Sequence, residues 1–73
     1  MNYAVEQRLR LIDFLLAHYG SVARAEIIDY FGIGEATATR DFALYCDKAP
    51  GNALLNPQSK RYVRSDTFTR LYG

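Results

Sequence analysis

The sequence predicts a mainly α domain carrying a small β-hairpin, and three observations predict it. Apolar residues recur at helical spacing in three segments of the first two-thirds of the chain. The second and third of these meet at Phe31-Gly32-Ile33-Gly34, a short glycine-containing turn. After Ala49-Pro50-Gly51 the period changes, and two short strand-like runs flank a turn-rich tetrad.

The first helix is expected from Tyr3 to Tyr19. Val5, Leu9, Ile12, Leu16 and Tyr19 form its apolar stripe, widened by Leu11 and Leu15, while Glu6, Gln7, Arg8, Arg10 and Asp13 fill much of the other side. Asn2 suits the N-cap, because its side chain can accept from a free first-turn N–H, and Gly20 suits the stop. Ser21-Val22-Ala23 is too short to classify and is compatible with extended chain. The second helix is expected from Arg24 to Phe31, with Ile27, Ile28 and Phe31 on one face. Gly32 can then take a positive φ without Cβ strain, and Ile33 plugs the angle between the helices. In the third helix, Glu35 to Asp47, Ala38, Phe42 and Tyr45 face inward, with Leu44 and Cys46 near the edges of that stripe.

Pro50 cannot continue that helix and Gly51 permits a reversal. Asn52–Leu55 and Lys60–Arg64 then read as a hairpin around Asn56-Pro57-Gln58-Ser59. Alternation puts Tyr62 with Lys60 and Arg64 on one side and Val63 on the other, and leaves open which side is buried. Residues 65–73 are expected to form a short terminal helix, capped by Ser65 or Asp66, with Phe68, Leu71 and Tyr72 as apolar contacts.

Seventy-three residues make room for one small domain, spanning 1–73, and ten aromatic residues supply bulky core material that argues against disorder. One Cys and one His cannot build a disulfide framework or a zinc site of about four ligands, so neither metal nor cofactor is expected. No apolar run approaches the roughly 18 residues of a membrane span. The single Cys46 and the lack of a signal peptide fit a cytoplasmic protein. His18 has only Asp13 near it, five positions away, which is no catalytic spacing; an enzyme is not expected. The net charge of +1 is an average: residues 1–57 carry five basic and seven acidic side chains, whereas in 58–73 Lys60, Arg61, Arg64 and Arg70 oppose only Asp66. Such an edge suits a polyanion.

Helix, turn, helix and hairpin together read as a winged helix-turn-helix: a three-helix core with a two- or three-stranded wing sheet. In that arrangement the third helix enters the major groove of double-stranded DNA. Its outward positions are Glu35, Ala36, Thr37, Thr39 and Arg40. Arg40 can donate a bidentate pair to a guanine edge, and the threonines can reach phosphates or a thymine methyl. Glu35 can accept from a cytosine amino group or, with less repulsion from phosphates, simply stabilise the helix N-terminus. On the backbone and wing side, Arg24, Ser59, Lys60, Arg61 and Arg64 are candidates for phosphate contacts.

From Tyr19 to Val63 the chain resembles the N-terminal domain of bacterial WYL-domain transcriptional regulators, a DeoR-like group. The residues that carry the resemblance are Tyr19-Gly20, Asp29-Tyr30-Phe31-Gly32-Ile33, Thr39-Arg40-Asp41-Phe42, Ala49-Pro50-Gly51-Asn52 and Ser59-Lys60-Arg61-Tyr62-Val63. It is most similar to the BrxR/CapW type found beside anti-phage defence operons. The resemblance implies a homodimeric repressor on an inverted-repeat operator, with a ligand-sensing WYL domain following the DNA-binding domain. On that basis the chain is expected to be an N-terminal fragment of a longer regulator. Gly34 and Ala36 depart from the Ser or Thr and the Gln that the group often carries there, so base preference does not transfer. Ala23 likewise lacks a capping side chain.

Two alternatives belong to other classes. A winged-helix module for protein partners would show an apolar exposed face on the third helix, against which Thr37, Thr39 and Arg40 argue. A structured-RNA binder would prefer A-form duplex.

Overall fold

The computed structural model describes residues 2–73. Its elements follow the sequence in the order α1 (Tyr3–Tyr19), β1 (Ser21–Val22), α2 (Arg24–Phe31), α3 (Glu35–Lys48), β2 (Ala53–Asn56) and β3 (Arg61–Arg64). The three strands form one antiparallel sheet in the order β1-β3-β2. Three helices and a three-stranded sheet are the winged helix architecture that the sequence predicts.

Local chemistry sets the boundaries. Asn2 Oδ1 accepts from the Val5 N–H at 2.8 Å, and Gly20 closes α1 at φ 80°. Gly32 ends α2 in the left-handed region at φ 67°, returning its N–H to the Ile28 carbonyl. Ala23, with no capping side chain, is compensated from the far side of the turn: Glu26 Oε1 accepts the Ala23 N–H at 2.7 Å.

The core lies where the three helices and the sheet meet. Leu9, Ile12 and Leu16 of α1, Val22 of β1, Ile27 of α2, and Phe42 and Tyr45 of α3 are buried, and Ala38 joins them. Tyr62 stacks on Phe42 at 4.4 Å between ring centroids, so the Tyr62 side of the wing faces the body and Val63 faces outward. This answers the question that alternation alone left open.

Four expectations are corrected. Tyr19, assigned to the apolar stripe of α1, is 73% exposed, because Gly20 turns the chain before the stripe can close over it. Asp13 and Arg8, assigned to the solvent side, are turned inward: Asp13 is fully buried and Arg8 reaches α3. The hairpin tip is shifted by one residue. Asn56 pairs with Arg61 as the end of β2, and its side chain accepts the Gln58 and Ser59 N–H groups, while Lys60 sits in the turn at φ 59°. Finally, residues 65–73 form no helix; they run as turn and irregular chain across α1, with Phe68, Leu71 and Tyr72 packed on the core as expected.

Tertiary hydrogen bonds replace that missing helix. Asp13 Oδ1 accepts from Tyr45 Oη at 2.6 Å and the Leu71 N–H at 3.0 Å; its Oδ2 accepts from Arg70 Nε at 2.6 Å and the Tyr72 N–H at 3.1 Å. Asn52 brackets Thr69, donating to its carbonyl at 2.7 Å and accepting its N–H at 3.0 Å. Ser65 and Thr67 both donate to the Gly51 carbonyl, and the Arg10 guanidinium lies 4.7 Å from the Tyr72 ring centroid. Among the described residues, no buried side-chain nitrogen or oxygen lacks a partner.

Candidate nucleic-acid interface

The amphipathic pattern of α3 gives it two working faces. Ala38, Asp41, Phe42 and Tyr45 point into the molecule, and Glu35, Ala36, Thr39 and Arg40 are exposed on its first turns, with Thr37 half-buried. No large hydrophobic side chain is exposed on α3 among the described residues. The inward face is pinned by charge as well as by packing. Arg8 of α1 reaches Asp41 through Nε at 2.5 Å and Nη2 at 3.3 Å, with both side chains largely shielded from water. Arg40, one residue earlier, has no ion-pair partner among the described residues. A surface ion pair, the ordinary fate of an exposed arginine, is therefore not what holds it.

Farther along α3, Tyr45 bonds Asp13 and accepts from Asn52 Nδ2 at 3.1 Å. Burial pushes the Tyr45 hydroxyl well above the ordinary phenol range, and the neighbouring Asp13 carboxylate reinforces the effect. For Asp13 itself burial acts upward, but the bonds from Tyr45, Arg70, Leu71 and Tyr72 outweigh it and hold the carboxyl below its ordinary value. Asp13 is thus a structural anion, and it has no proton-transfer partner in His18, which instead stacks with Phe14 at 4.2 Å. Burial likewise raises the Cys46 thiol, which suits a packed small hydrophobe better than a reactive thiolate.

Beside the outward face of α3 lies a shallow groove. Ala23, Arg24 and Ala25 of the α2 start, Gly34 and Glu35 of the α3 start, and Ser59 and Lys60 of the wing tip all line it. Five of the residues singled out from sequence are thereby close together: Arg24, Glu35, Ser59 and Lys60 through the groove, and Thr39 through a bond from Arg24 Nη1 at 2.9 Å. Arg61 and Arg64 have partners within the chain. Arg61 Nη2 donates to Glu26 Oε1 at 3.0 Å and its Nε donates to Ser21 Oγ at 3.1 Å. Arg64 sits at the base of the wing, where its Nη1 donates to the Ala17 carbonyl at 2.7 Å and caps the C-terminal end of α1.

Sequence reasoning missed Arg8, Asp13, Asp41 and Asn52, which fix α3 from behind, and Glu26, which caps α2 and holds Arg61 of the wing. A signal for two of them was present. Asp13 lies within the Leu9-Ile12-Leu16 stripe and Asp41 within the Ala38-Phe42-Tyr45 stripe, and a carboxylate inside an apolar stripe calls for a buried partner.

Among the described residues no His, Cys, Asp and Glu cluster is placed to hold a metal ion, and no helix is long and apolar enough to cross a membrane. The family model of the BrxR transcriptional regulator winged helix-turn-helix domain matches residues 4–72. No curated protein matches the chain.

Proposed function

The chain belongs to the family of BrxR transcriptional regulator winged helix-turn-helix domains, and from that premise we propose that it binds double-stranded DNA sequence-specifically, with α3 in the major groove and the wing on the backbone. One observation carries the proposal: Arg40, without an ion-pair partner among the described residues, and an exposed polar face on α3, which is bonded from behind through Asp41 and Tyr45 and set beside a groove that joins α2, α3 and the wing tip. Arg40, Thr37 and Thr39 supply base and groove contacts, with Ala36 allowing close approach. Glu35 supports the helix N-terminus or accepts from a cytosine amino group.

Phosphate contacts come first from Arg24, Ser59 and Lys60, which the groove brings together. Arg61 and Arg64 add charge from sites where internal bonds already orient them. In the whole protein the proposed regulator is a cytoplasmic homodimer that represses by occupying an inverted-repeat operator. The polar outward face of α3 weighs against a protein-docking role for that helix.

Selection of bound duplexes from genomic fragments at two salt concentrations tests the reading, and enrichment of one related set of sequences is expected. On the enriched site, Arg40→Ala costs about 1–3 kcal/mol and relaxes preference at one position. Lys60→Ala instead weakens all sequences alike and lowers the salt slope by about 1. No enrichment over random duplex removes the proposal, and unchanged affinity in Arg40→Ala removes Arg40 as a reader.

A further inference from the structure

The first turn of α2 touches both elements proposed to face DNA. Arg24 Nη1 donates to Thr39 Oγ1 of α3 at 2.9 Å. Two residues on, Glu26 accepts from Arg61 of β3 at 3.0 Å while also capping its own helix through the Ala23 N–H. One helical turn therefore holds α3 on one side and the wing on the other. Arg24 also lines both the groove shared with Gly34, Glu35 and the wing tip and a smaller cavity bounded by Leu55, Pro57, Lys60 and Tyr62.

The bond to Thr39 has a direction with chemical consequences. A guanidinium only donates, so Thr39 Oγ1 must accept, and the proton of the threonine hydroxyl is left to be given outward. A Thr39 held in this way can pair with a phosphate oxygen or with an acceptor on a base edge: guanine O6 or N7, adenine N7 or thymine O4. Arg24 fills one of the two lone pairs on Oγ1, so the capacity to accept from the amino groups of cytosine and adenine is halved while the capacity to donate is whole. Arg24 keeps further N–H donors for a phosphate, so one planar fork can hold the backbone and the recognition helix together.

We infer that Arg24 is a positioning residue for base readout, fixing the Thr39 hydroxyl as an outward donor, so that a side chain outside α3 sets part of the sequence preference. This inference rests on the reading that the α3 face binds duplex DNA. In the free protein the bond is exposed to water and contributes little; it strengthens when DNA displaces that water. An Arg24 that only contacted phosphate would act on every sequence alike, since the backbone carries no base information.

The test uses the duplex that the chain enriches from a random-sequence library, together with its single-base variants. Binding is measured at one salt concentration for the wild type, Arg24→Ala, Arg24→Lys, Thr39→Val and the double variant Arg24→Ala/Thr39→Val. Arg24→Ala is expected to lower affinity generally and also to cut discrimination roughly tenfold at the base position that Thr39→Val affects. The double variant should discriminate no worse there than Thr39→Val alone, the non-additivity of two groups acting through one bond. Arg24→Lys keeps the charge without the fork and recovers general affinity but not the preference. An Arg24→Ala variant that weakens all duplexes by one factor, with every base preference intact, overturns the inference and leaves DNA binding standing. A wild-type chain that enriches no sequence overturns both.

Discussion

Asp13 is the residue on which most of the polar interior turns. It lies within the apolar stripe of α1 and joins α1, α3 and the C-terminal segment through bonds from Tyr45, Arg70, Leu71 and Tyr72. Helical period places it on the buried face, yet residue type argued for solvent, and type was the wrong guide, because the four donors come from chain 32 to 59 positions away. Asp13 is buried but its Arg70 partner is one-third exposed, so solvent screens the charge left behind; with buried donors losing their carboxylate acceptor, Asp13→Asn should destabilise by about 1–3 kcal/mol at neutral pH. Because the folded-state carboxyl titrates below its unfolded value of 3.8, its contribution is complete above that value and is lost as pH falls through the folded one. The stability gap between wild type and Asp13→Asn, measured by urea titration, is therefore expected to be constant near neutrality and to narrow below about pH 4. A gap independent of pH down to acid unfolding would show that the carboxylate charge is not what the site uses.

At the scale of elements, the turn between α2 and α3 decides how the recognition helix is presented. Gly32 holds φ 67° with open space where a Cβ would stand, so Gly32→Ala meets no clash and the cost is purely one of backbone conformation. That substitution should destabilise the domain by about 1 kcal/mol, read as a lowered midpoint in thermal unfolding with the fold retained. Helix limits were legible in sequence because their determinants are local: Asn2, Gly20 and Gly32 act within one turn of the residues they cap. The hairpin was legible as a hairpin but not in its register. The Asn56 side chain bonds two N–H groups of the tip, and this Asx turn pulls Asn56 into β2 and Lys60 into the turn. Of the candidate interface, the α3 face was readable from period. The intramolecular partners of Arg61 and Arg64 were not, since Glu26, Ser21 and Ala17 are 35 or more residues distant.

Across the whole molecule, the C-terminal segment is an integral part of the domain rather than an appendage. Beyond the Asp13 bonds, Asn52 brackets Thr69, and Leu71 and Tyr72 cover the core. Deleting residues 65–73 strips Asp13 of three donors and uncovers apolar surface, in a domain whose total stability is only several kcal/mol. The truncated chain is expected to be largely unfolded at room temperature by circular dichroism; a cooperative transition at the wild-type temperature would show that the segment contributes nothing. The near-neutral net charge resolves in space as well. Of the basic residues near the C-terminus, Arg70 is committed to Asp13, Arg64 to the end of α1 and Arg61 to Glu26 and Ser21, which leaves Lys60 as a cation without an internal partner among the described residues; Arg40 on α3 is likewise exposed and without one. Sequence by itself determined the three helices, the Asn2, Gly20 and Gly32 boundaries, the glycine turn and the presence of the wing, because period and capping act over a few residues at a time. Tertiary structure alone decided which carboxylates are buried, which arginines are engaged and where the last nine residues lie. Those outcomes depend on hydrogen-bond partners far apart along the chain, and only the folded packing brings them within about 3 Å.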